Sequence, residues 1–175
     1  MHRLLLLIIP LLGFATISVS SAAQNQKEKT MPDNSPNKKF ALVIHSGAGV
    51  VSRESIPEAD AKLMQQDLNR ALDAGYAVLS RGGPALEAVT AAIIVLEDSP
   101  WFNAGKGSVF NAEGGHELDA SVMEGHTRRA GAVAGVTTVK NPILLARSVM
   151  EKSPHVMLAG EGAEKFADTQ KDIER

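Results

Sequence analysis

The run from Ala88 to Leu96 limits most strongly how this chain can fold, because almost every one of its residues is apolar. Pro84 precedes the run at a position suited to the first turn of a helix, and Glu97 follows it. A helix that is apolar on all sides has to be covered on more than one of them. We therefore predict a helix that ends at about Glu97 and lies buried beneath a sheet.

Helix and strand patterns alternate on both sides of this run. Apolar residues at three- and four-residue steps predict an amphipathic helix between about Met64 and Leu79, which Arg81-Gly82-Gly83 ends. Short apolar runs between turn residues predict strands, at 40–44, 108–111, 117–123, 130–139 and 155–158. Further helices are predicted over 142–151 and 162–167. This mixture indicates an α/β or α+β fold with helices packed on a sheet.

The N-terminus divides into three parts before the globular body is reached. Residues 1–23 have the order of a secretory signal peptide: a basic start, a short apolar run and small residues at the cleavage site. A membrane anchor is the competing interpretation, but the apolar run is short and contains Pro10. We predict a flexible, polar leader over residues 24–39 and a folded part over residues 40–175. The polar end from Asp168 to Arg175 is consistent with the start of a mobile linker. We expect a periplasmic or secreted protein without stable membrane association.

Charge and cysteine content remove several function classes. The chain has 18 Lys and Arg residues against 20 Asp and Glu residues, and no cysteine. No basic stripe is present that would bind nucleic acid, and no thiol is present for catalysis, disulfides or metal thiolates. The catalytic chemistry is therefore limited to hydroxyl, carboxylate, imidazole and amine groups.

Three local features could carry chemistry. The glycine turn His45-Ser-Gly-Ala-Gly49 follows a predicted strand, but Ser52 stands where a dinucleotide-binding loop needs its third glycine. His116, Glu117 and Asp119 suit either an acid–base group or the polar face of a strand. The loop from Leu96 to Gly107 leaves carbonyl groups without ladder partners, so it is either a surface loop around Trp101 or a place where carbonyls bind water or a monovalent cation.

In order along the chain, several motifs closely resemble the N-terminal half of plant-type asparaginases. The motifs are Ile44-His-Ser-Gly-Ala-Gly49, Pro100-Trp-Phe-Asn-Ala-Gly-Lys-Gly107, Glu117-Leu-Asp-Ala-Ser-Val-Met-Glu-Gly125, Ala130-Gly-Ala-Val-Ala134 and the segment 141–155. These proteins are isoaspartyl peptidases of the N-terminal nucleophile hydrolase superfamily. The resemblance implies an αββα sandwich of which only the N-terminal, α-chain half is present in residues 40–175.

The resemblance also implies a precursor that cleaves itself in front of a threonine. The new N-terminal threonine of the β chain would act as nucleophile and, through its amine, as base, on asparagine and β-aspartyl dipeptides. The sequence holds no Gly-Thr pair, and Thr137 and Thr138 lie in a strand pattern, so the nucleophile is expected outside this chain. We expect residues 1–175 alone to be inactive, and the complete protein to be a dimer of αβ units. The alternative is a catalytically empty secreted domain that binds a ligand.

Supporting site residues follow from the same resemblance. Asn103 corresponds to the loop asparagine near the nucleophile, and His45 and Gly47 belong to a His-Gly-Gly type turn in which this chain has Ser46. If position 46 required a positive φ, serine would cost about 1 kcal/mol there. No cofactor is implied beyond a structural sodium ion. Its predicted ligands are backbone carbonyls, those of Leu96, Glu97, Ser99, Phe102, Ala104 and Lys106.

Overall fold

The computed structural model describes residues 40–47 and 55–175. The predicted signal peptide and leader, residues 1–39, lie outside the described residues. Four helices are present in the described part: α1 (Glu58–Ser80), α2 (Ala85–Glu97), α3 (Pro142–Lys152) and α4 (Gly160–Asp168), with a short 3-10 helix at Gly105–Gly107. Three strands accompany them: β1 (Leu118–Glu124), β2 (Arg129–Val136) and β3 (Met157–Ala159). The prediction of mixed α/β structure is confirmed.

Helices α1 and α2 pack closely because α1 has small residues on its inner face. Ala71 and Gly75 are buried there, and a Cβ atom added at Gly75 would lie 2.9 Å from the carbonyl oxygen of Ala88 in α2. Gly82 has a φ of +79° and ends α1 as predicted, because glycine adopts that conformation without a steric penalty. The predicted end of α2 at Glu97 is also confirmed.

The burial predicted for α2 is only partly realised. Ala88, Ala92 and Leu96 are buried, whereas Val89 and Ile93 are half-buried and face a cavity that residues 42–45 also line. The helix is thus covered by α1 on one side and less completely on others. A sequence that is apolar on all sides indicates more cover than the described residues provide.

The three strands form one mixed sheet in the order β1-β2-β3. β1 and β2 are antiparallel, with Ala120 opposite Val133 and Val122 opposite Gly131, and the register shifts between Leu118 and Ala120. β3 runs parallel to β2. The predicted hairpin therefore exists, and the four residues of its turn, 125–128, are exposed.

The two faces of this sheet differ in cover. Val122 and Val133 belong to the main core, together with residues of α3 and α4 such as Val149 and Ala163. Gly131 makes the close approach possible, since a Cβ there would overlap the Ala146 carbonyl and lie 2.6 Å from the Met150 nitrogen. The opposite face is exposed, and small or flexible side chains occupy it: Ser121, Met123, Met157 and Ala159.

Two predicted strands are absent from the described residues. Residues 40–47 form no strand, and Val43, within the predicted strand 40–44, is 88% exposed. The described part of the chain offers residues 40–44 no neighbouring strand. Only Leu42 and Ile44, which contact the helices, are half-buried. Residues 108–111 form no strand because the side chain of Asn111 accepts hydrogen bonds from the backbone N–H groups of Glu113 and Gly115, which makes a turn.

The end of the chain also differs from its prediction. Asp168 is the last residue of α4, and the residues after it are bound to the body of the protein instead of forming a mobile linker. Lys152 in α3, for example, contacts Asp172 at 3.1 Å. Among the described helices, none is both long and apolar enough to cross a membrane.

Candidate active site

The loop between α2 and β1 is built around two glycines that let its backbone fold tightly. Gly105 has a φ of +51°, and a Cβ on it would overlap the carbonyl group of Glu97. A Cβ on Gly107 would overlap the Phe102 carbonyl oxygen and lie 2.8 Å from that of Ser99. Any larger residue at either position would displace backbone. We call residues 98–107 the site loop.

This packing gathers backbone oxygens, as the predicted sodium ligands require. The carbonyls of Glu97, Ser99 and Phe102 lie around the two glycines. Those of Leu96, Phe102 and Ala104 accept backbone hydrogen bonds as well, at 2.8–3.2 Å. Carbonyl oxygens are suitable ligands for a hard cation. The six-carbonyl prediction, which includes Lys106, stays a prediction. In the described part of the chain no cluster of three or more His, Asp or Glu side chains forms a metal site.

A buried hydrogen bond fixes the start of the site loop on α1. The Ser99 hydroxyl donates to Asp67 Oδ2 at 2.6 Å, and both residues are buried. Asp67 Oδ1 also contacts the Arg70 guanidinium at 2.8 Å. The Ser99 oxygen in turn accepts the Trp101 N–H at 3.2 Å, so one hydroxyl links α1 to the turn that leads to Phe102. Sequence analysis missed this contact, since Asp67 lies among the polar positions of an amphipathic helix.

Glu97 binds the end of α2 to the beginning of α3 through its side chain. It is 3% exposed, and its Oε1 accepts the Ile143 N–H at 3.0 Å, one of the free donors at a helix start. Burial raises the pKa of the Glu97 carboxyl to about 7, against the lowering effect of the bonds from Ile143 and Asn141. Oε2 has no hydrogen-bond partner within the described residues. The resemblance singled out only the backbone carbonyl of this residue.

Asn103 lies at the exposed tip of the site loop. Its Oδ1 accepts the Val109 N–H at 3.0 Å, which holds the segment after the loop, and its amide nitrogen donates to no described residue. Since one end of the amide is fixed while the other is available, the group is oriented for a further contact. The structure is consistent with the predicted positioning role and does not test it.

The glycine turn places its left-handed residue at Gly47 and not at Ser46. Gly47 has a φ of +103°, and its N–H donates to His45 Nδ1 at 3.1 Å. Arg128 is the one non-glycine residue with a positive φ in the described part of the chain, so Ser46 avoids the conformation that would disfavour serine. The predicted cost of about 1 kcal/mol for serine is therefore not incurred.

The turn and the site loop meet at one cavity of about 260 Å³. His45, Ser46 and Gly47 line one side, and the site-loop side is lined by Leu96, Phe102, Asn103 and Ala104. Residues about 50 positions apart in the sequence thus share a concave surface.

The acid–base group suggested around His116 is not assembled. His116 Nδ1 lies 2.9 Å from the Ser108 hydroxyl, and Glu117 instead accepts a bond from Asn111 at 3.3 Å. Asp119 accepts the Gly135 N–H at 2.8 Å, where β1 and β2 shift register. Each of these side chains has a local partner, which favours the structural interpretation.

The predicted placement of Thr137 and Thr138 within a strand is wrong, because β2 ends at Val136. Both backbone N–H groups donate to Glu164 of α4, at 2.6 and 3.1 Å. Neither threonine lines the cavity at the glycine turn. Their bonds to Glu164 are structural contacts, and the placement of the nucleophile outside this chain stays a prediction.

Several known proteins are similar in sequence to this chain, and their names refer to asparaginase or isoaspartyl peptidase activity. A family model described as asparaginase matches residues 38–174. The chain is 49% identical over 129 residues to the isoaspartyl peptidase of Escherichia coli, covering 74% of this chain and 40% of that protein. It is 51% identical over 128 residues to the plant-type L-asparaginase of Pyrococcus abyssi, covering 73% and 40%. The isoaspartyl peptidase/L-asparaginase of Rattus norvegicus is 42% identical over 153 residues, covering 87% and 44%.

The chain spans about two fifths of the length of these relatives. Enzymes of this type catalyse with their own side chains and need no cofactor. The matched region includes the whole site loop and the glycine turn. The chain therefore belongs to the asparaginase family of N-terminal nucleophile hydrolases.

Proposed function

We propose that this chain is the α-subunit part of an exported amidohydrolase that processes itself and hydrolyses β-aspartyl dipeptides and L-asparagine. The observation that carries the proposal is the cavity shared by His45, Gly47 and Asn103, which brings together two motifs of an asparaginase. Relatives with isoaspartyl peptidase and asparaginase in their names match most of this chain. Residues 1–23 supply the export signal in this proposal.

A second chain completes the fold in this proposal. One face of the β1-β2-β3 sheet is covered by α3 and α4, while Ser121, Met123 and Met157 on the other face are exposed. The relatives contain more than twice the matched length. A β chain packed on the exposed face would complete an αββα sandwich and bury those side chains. Two αβ units would then form the active dimer.

The reaction uses a threonine at the start of that β chain. Its hydroxyl oxygen attacks the side-chain carbonyl carbon of the substrate while its α-amine takes the hydroxyl proton. The C–N bond then breaks, the proton passes to the leaving ammonia or amine, and an aspartyl ester remains on the threonine. Water hydrolyses that ester, releases aspartate and restores the hydroxyl. The residues of this chain orient the threonine segment: Asn103 with its available amide, and the glycine turn from the opposite side of the cavity.

The test uses the protein purified from its native host. Intact mass and N-terminal sequencing should show two co-purifying chains, the second of which begins with threonine, and the first should lack residues 1–23. The complex should release ammonia from asparagine and aspartate from a β-aspartyl dipeptide. Residues 1–175 produced alone should release neither above the blank.

Two results would contradict the proposal. Ammonia release by residues 1–175 alone would show that the nucleophile is not in a second chain. A single intact chain without activity on either substrate would favour the alternative, a secreted domain of the same fold that binds a ligand.

A further inference from the structure

His45 lies where residues 40–47 reach the cavity at the glycine turn. It lines this cavity of about 260 Å³ together with Gly47 and Asn103, and it also lines a neighbouring cavity of about 200 Å³ between residues 42–45 and α2. Among the described residues that line these two cavities, His45 is the one with an ionisable side chain. The state of its imidazole ring therefore decides whether each ring nitrogen presents a donor or an acceptor there.

A single hydrogen bond assigns the state of the His45 ring. The Gly47 N–H donates to His45 Nδ1 at 3.1 Å. A ring nitrogen that accepts a hydrogen bond carries no proton, so the neutral ring has its proton on Nε2. A doubly protonated imidazole has no acceptor and would lose this bond. The backbone donor thus selects one tautomer and one orientation of the ring.

The same bond holds the backbone of Gly47. This glycine has a φ of +103°, and a Cβ added to it would meet nothing within 4 Å. Gly105 and Gly107 are held by close approach to neighbouring carbonyls, whereas Gly47 has no such packing. A glycine in open space has wide conformational freedom unless its backbone is bonded. Within the described residues, the bond to His45 is the one hydrogen bond that Gly47 makes.

We infer that His45 is a positioning residue of the candidate active site, whose Nδ1 fixes the backbone of Gly47 and thereby keeps the glycine-turn wall of the cavity in place opposite Asn103. The inference deepens the proposed function and rests on it, because the threonine segment is proposed to be oriented in this cavity. His45 acts through Gly47 and takes no part in the bonds that form and break.

Asparagine and glutamine distinguish the two ring nitrogens. The Oδ1 atom of an asparagine takes the place of Nδ1, and asparagine side chains readily accept the backbone N–H two residues further along the chain. Glutamine is longer by one methylene group and carries its amide near the position of Nε2. His45→Asn should therefore preserve the bond from Gly47, whereas His45→Gln should lose it.

The experiment measures kcat of the complete, self-cleaved protein on a β-aspartyl dipeptide. His45→Ala and His45→Gln should lower kcat about three- to tenfold, the effect expected from one neutral hydrogen bond that positions a reacting segment. His45→Asn should recover most of this loss. His126→Ala is the matched control, since His126 lies in the exposed hairpin turn 125–128 and should leave kcat at the parent value.

The rate of self-cleavage provides the same comparison where a variant does not mature. The complete precursor is made by cell-free translation, and the loss of the single chain is followed over time. The expected order is the parent protein, then His45→Asn, and then His45→Gln together with His45→Ala. A variant that fails to cleave is therefore ranked by the same contact and not set aside.

Two further measurements separate positioning from a merely structural role. The melting temperatures of all three His45 variants should stay within about 2 °C of the parent value, because His45 and Gly47 are both exposed. Nitrogen NMR of the complete protein with isotope-labelled histidine reports the tautomer directly. The signal that His45→Asn removes should be that of a ring protonated on Nε2 alone.

The results that would overturn the inference are distinct from those that would overturn the proposed function. Parent-like kcat in His45→Ala, or recovery by His45→Gln in place of His45→Asn, would overturn the inference alone. A His45 ring protonated on Nδ1, or a loss of melting temperature that parallels the loss of kcat, would do so too. A parent protein that neither cleaves nor hydrolyses the dipeptide would overturn the proposed function, and with it the inference.

Discussion

The site loop and the arm formed by residues 40–47 both carry candidate site residues, yet the rest of the chain supports them very differently. The site loop is held by the buried Ser99–Asp67 bond at 2.6 Å and by close approach at Gly105 and Gly107. In the arm, His45 and Gly47 bond only to one another among the described residues, and Val43 is 88% exposed. Among the described residues, one side of the cavity is therefore firmly held, and the other side has far fewer contacts.

The arm also contains apolar residues that are only partly buried. Leu42 and Ile44 contact the α1–α2 pair, and Phe40 packs on Tyr76 with 5.3 Å between ring centroids. No backbone hydrogen bond joins residues 41–44 to another described segment. In the proposed complete protein, we expect a strand of the second chain to pair with this arm and to satisfy its backbone groups.

Backbone hydrogen exchange should reveal the largest contrast. In residues 1–175 alone, amides of the arm should exchange about a thousandfold faster than buried site-loop amides, because they lack backbone partners. In the complete protein, the arm should become protected while the site loop changes little. Mass spectrometry of peptides measures this exchange. Equal protection of the arm in residues 1–175 alone and in the complete protein would contradict the expected difference between the arm and the site loop.

Gly105→Ala should destabilise the complete protein by about 3 kcal/mol, since it adds both the cost of a positive φ and an overlap with the Glu97 carbonyl. Gly114→Ala is the matched control, with a φ of +79° and nothing within 4 Å of an added Cβ. It should cost only about 1 kcal/mol. Chemical denaturation gives both values, and equal costs would show that close approach does not hold the site loop.

Ser99→Ala should lower the free energy of unfolding by about 2 kcal/mol, because the buried Asp67 carboxylate loses its hydroxyl donor. Ser80→Ala serves as control, since the Ser80 hydroxyl is exposed and donates only to the Ala77 carbonyl. A change below about 0.5 kcal/mol for Ser99→Ala would mean that the site loop is not anchored through this bond.

The Glu164 carboxylate, which accepts bonds from Thr137 and Thr138 and contacts Arg175, should make stability depend on acid pH. The pKa of Glu164 is lowered from 4.5 to about 2 in the folded protein, so its contribution is present above pH 4.5 and is lost as pH falls toward 2. After a reduction for solvent screening, we expect about 1–2 kcal/mol. Glu164→Gln should flatten the stability profile in this window. An unchanged profile in denaturation at several pH values would contradict the expectation.

Asn103→Ala should have the smallest effect on stability, below about 1 kcal/mol, because Asn103 is exposed and loses one bond to Val109. Turnover of the complete enzyme should nevertheless fall about tenfold, since the available amide is removed. Asn69→Ala is a useful control, an exposed asparagine bonded only to Gln65 on α1. Normal turnover in Asn103→Ala would refute the positioning role.

Much of this architecture was predictable from local patterns. The end of α1 just before Gly82, the end of α2 at Glu97 and the start of α3 at Pro142 follow from turn residues and proline positions. The irregular loop was predicted from Pro100 and its glycines, and the structure confirms it. Such features depend on a few neighbouring residues, so sequence contains the information.

The contacts that the sequence could not reveal are long-range ones. Asp67 and Ser99 are 32 positions apart, and Glu97 and Ile143 are 46 apart, so no local pattern pairs them. The strand predicted at residues 108–111 is wrong, because the Asn111 side chain bonds to nearby backbone N–H groups and forms a turn. A pattern of apolar residues does not contain this competing interaction. The sequence indicated which segments carry the candidate site residues. The long-range hydrogen bonds between polar side chains depend on how the helices pack, which the sequence pattern does not contain.

The single carboxylate of Glu97 has a mechanical consequence. It ends α2 immediately before the site loop and at the same time holds the first turn of α3 through Ile143. Ile143, Leu145 and Val149 fix α3 in the core, so a shift of this helix would pull directly on the root of the site loop. Random mutagenesis should therefore find loss-of-function changes along the buried side of α3, far from any substrate contact. Such changes would shift α3 and, through the Glu97–Ile143 hydrogen bond, displace the site loop.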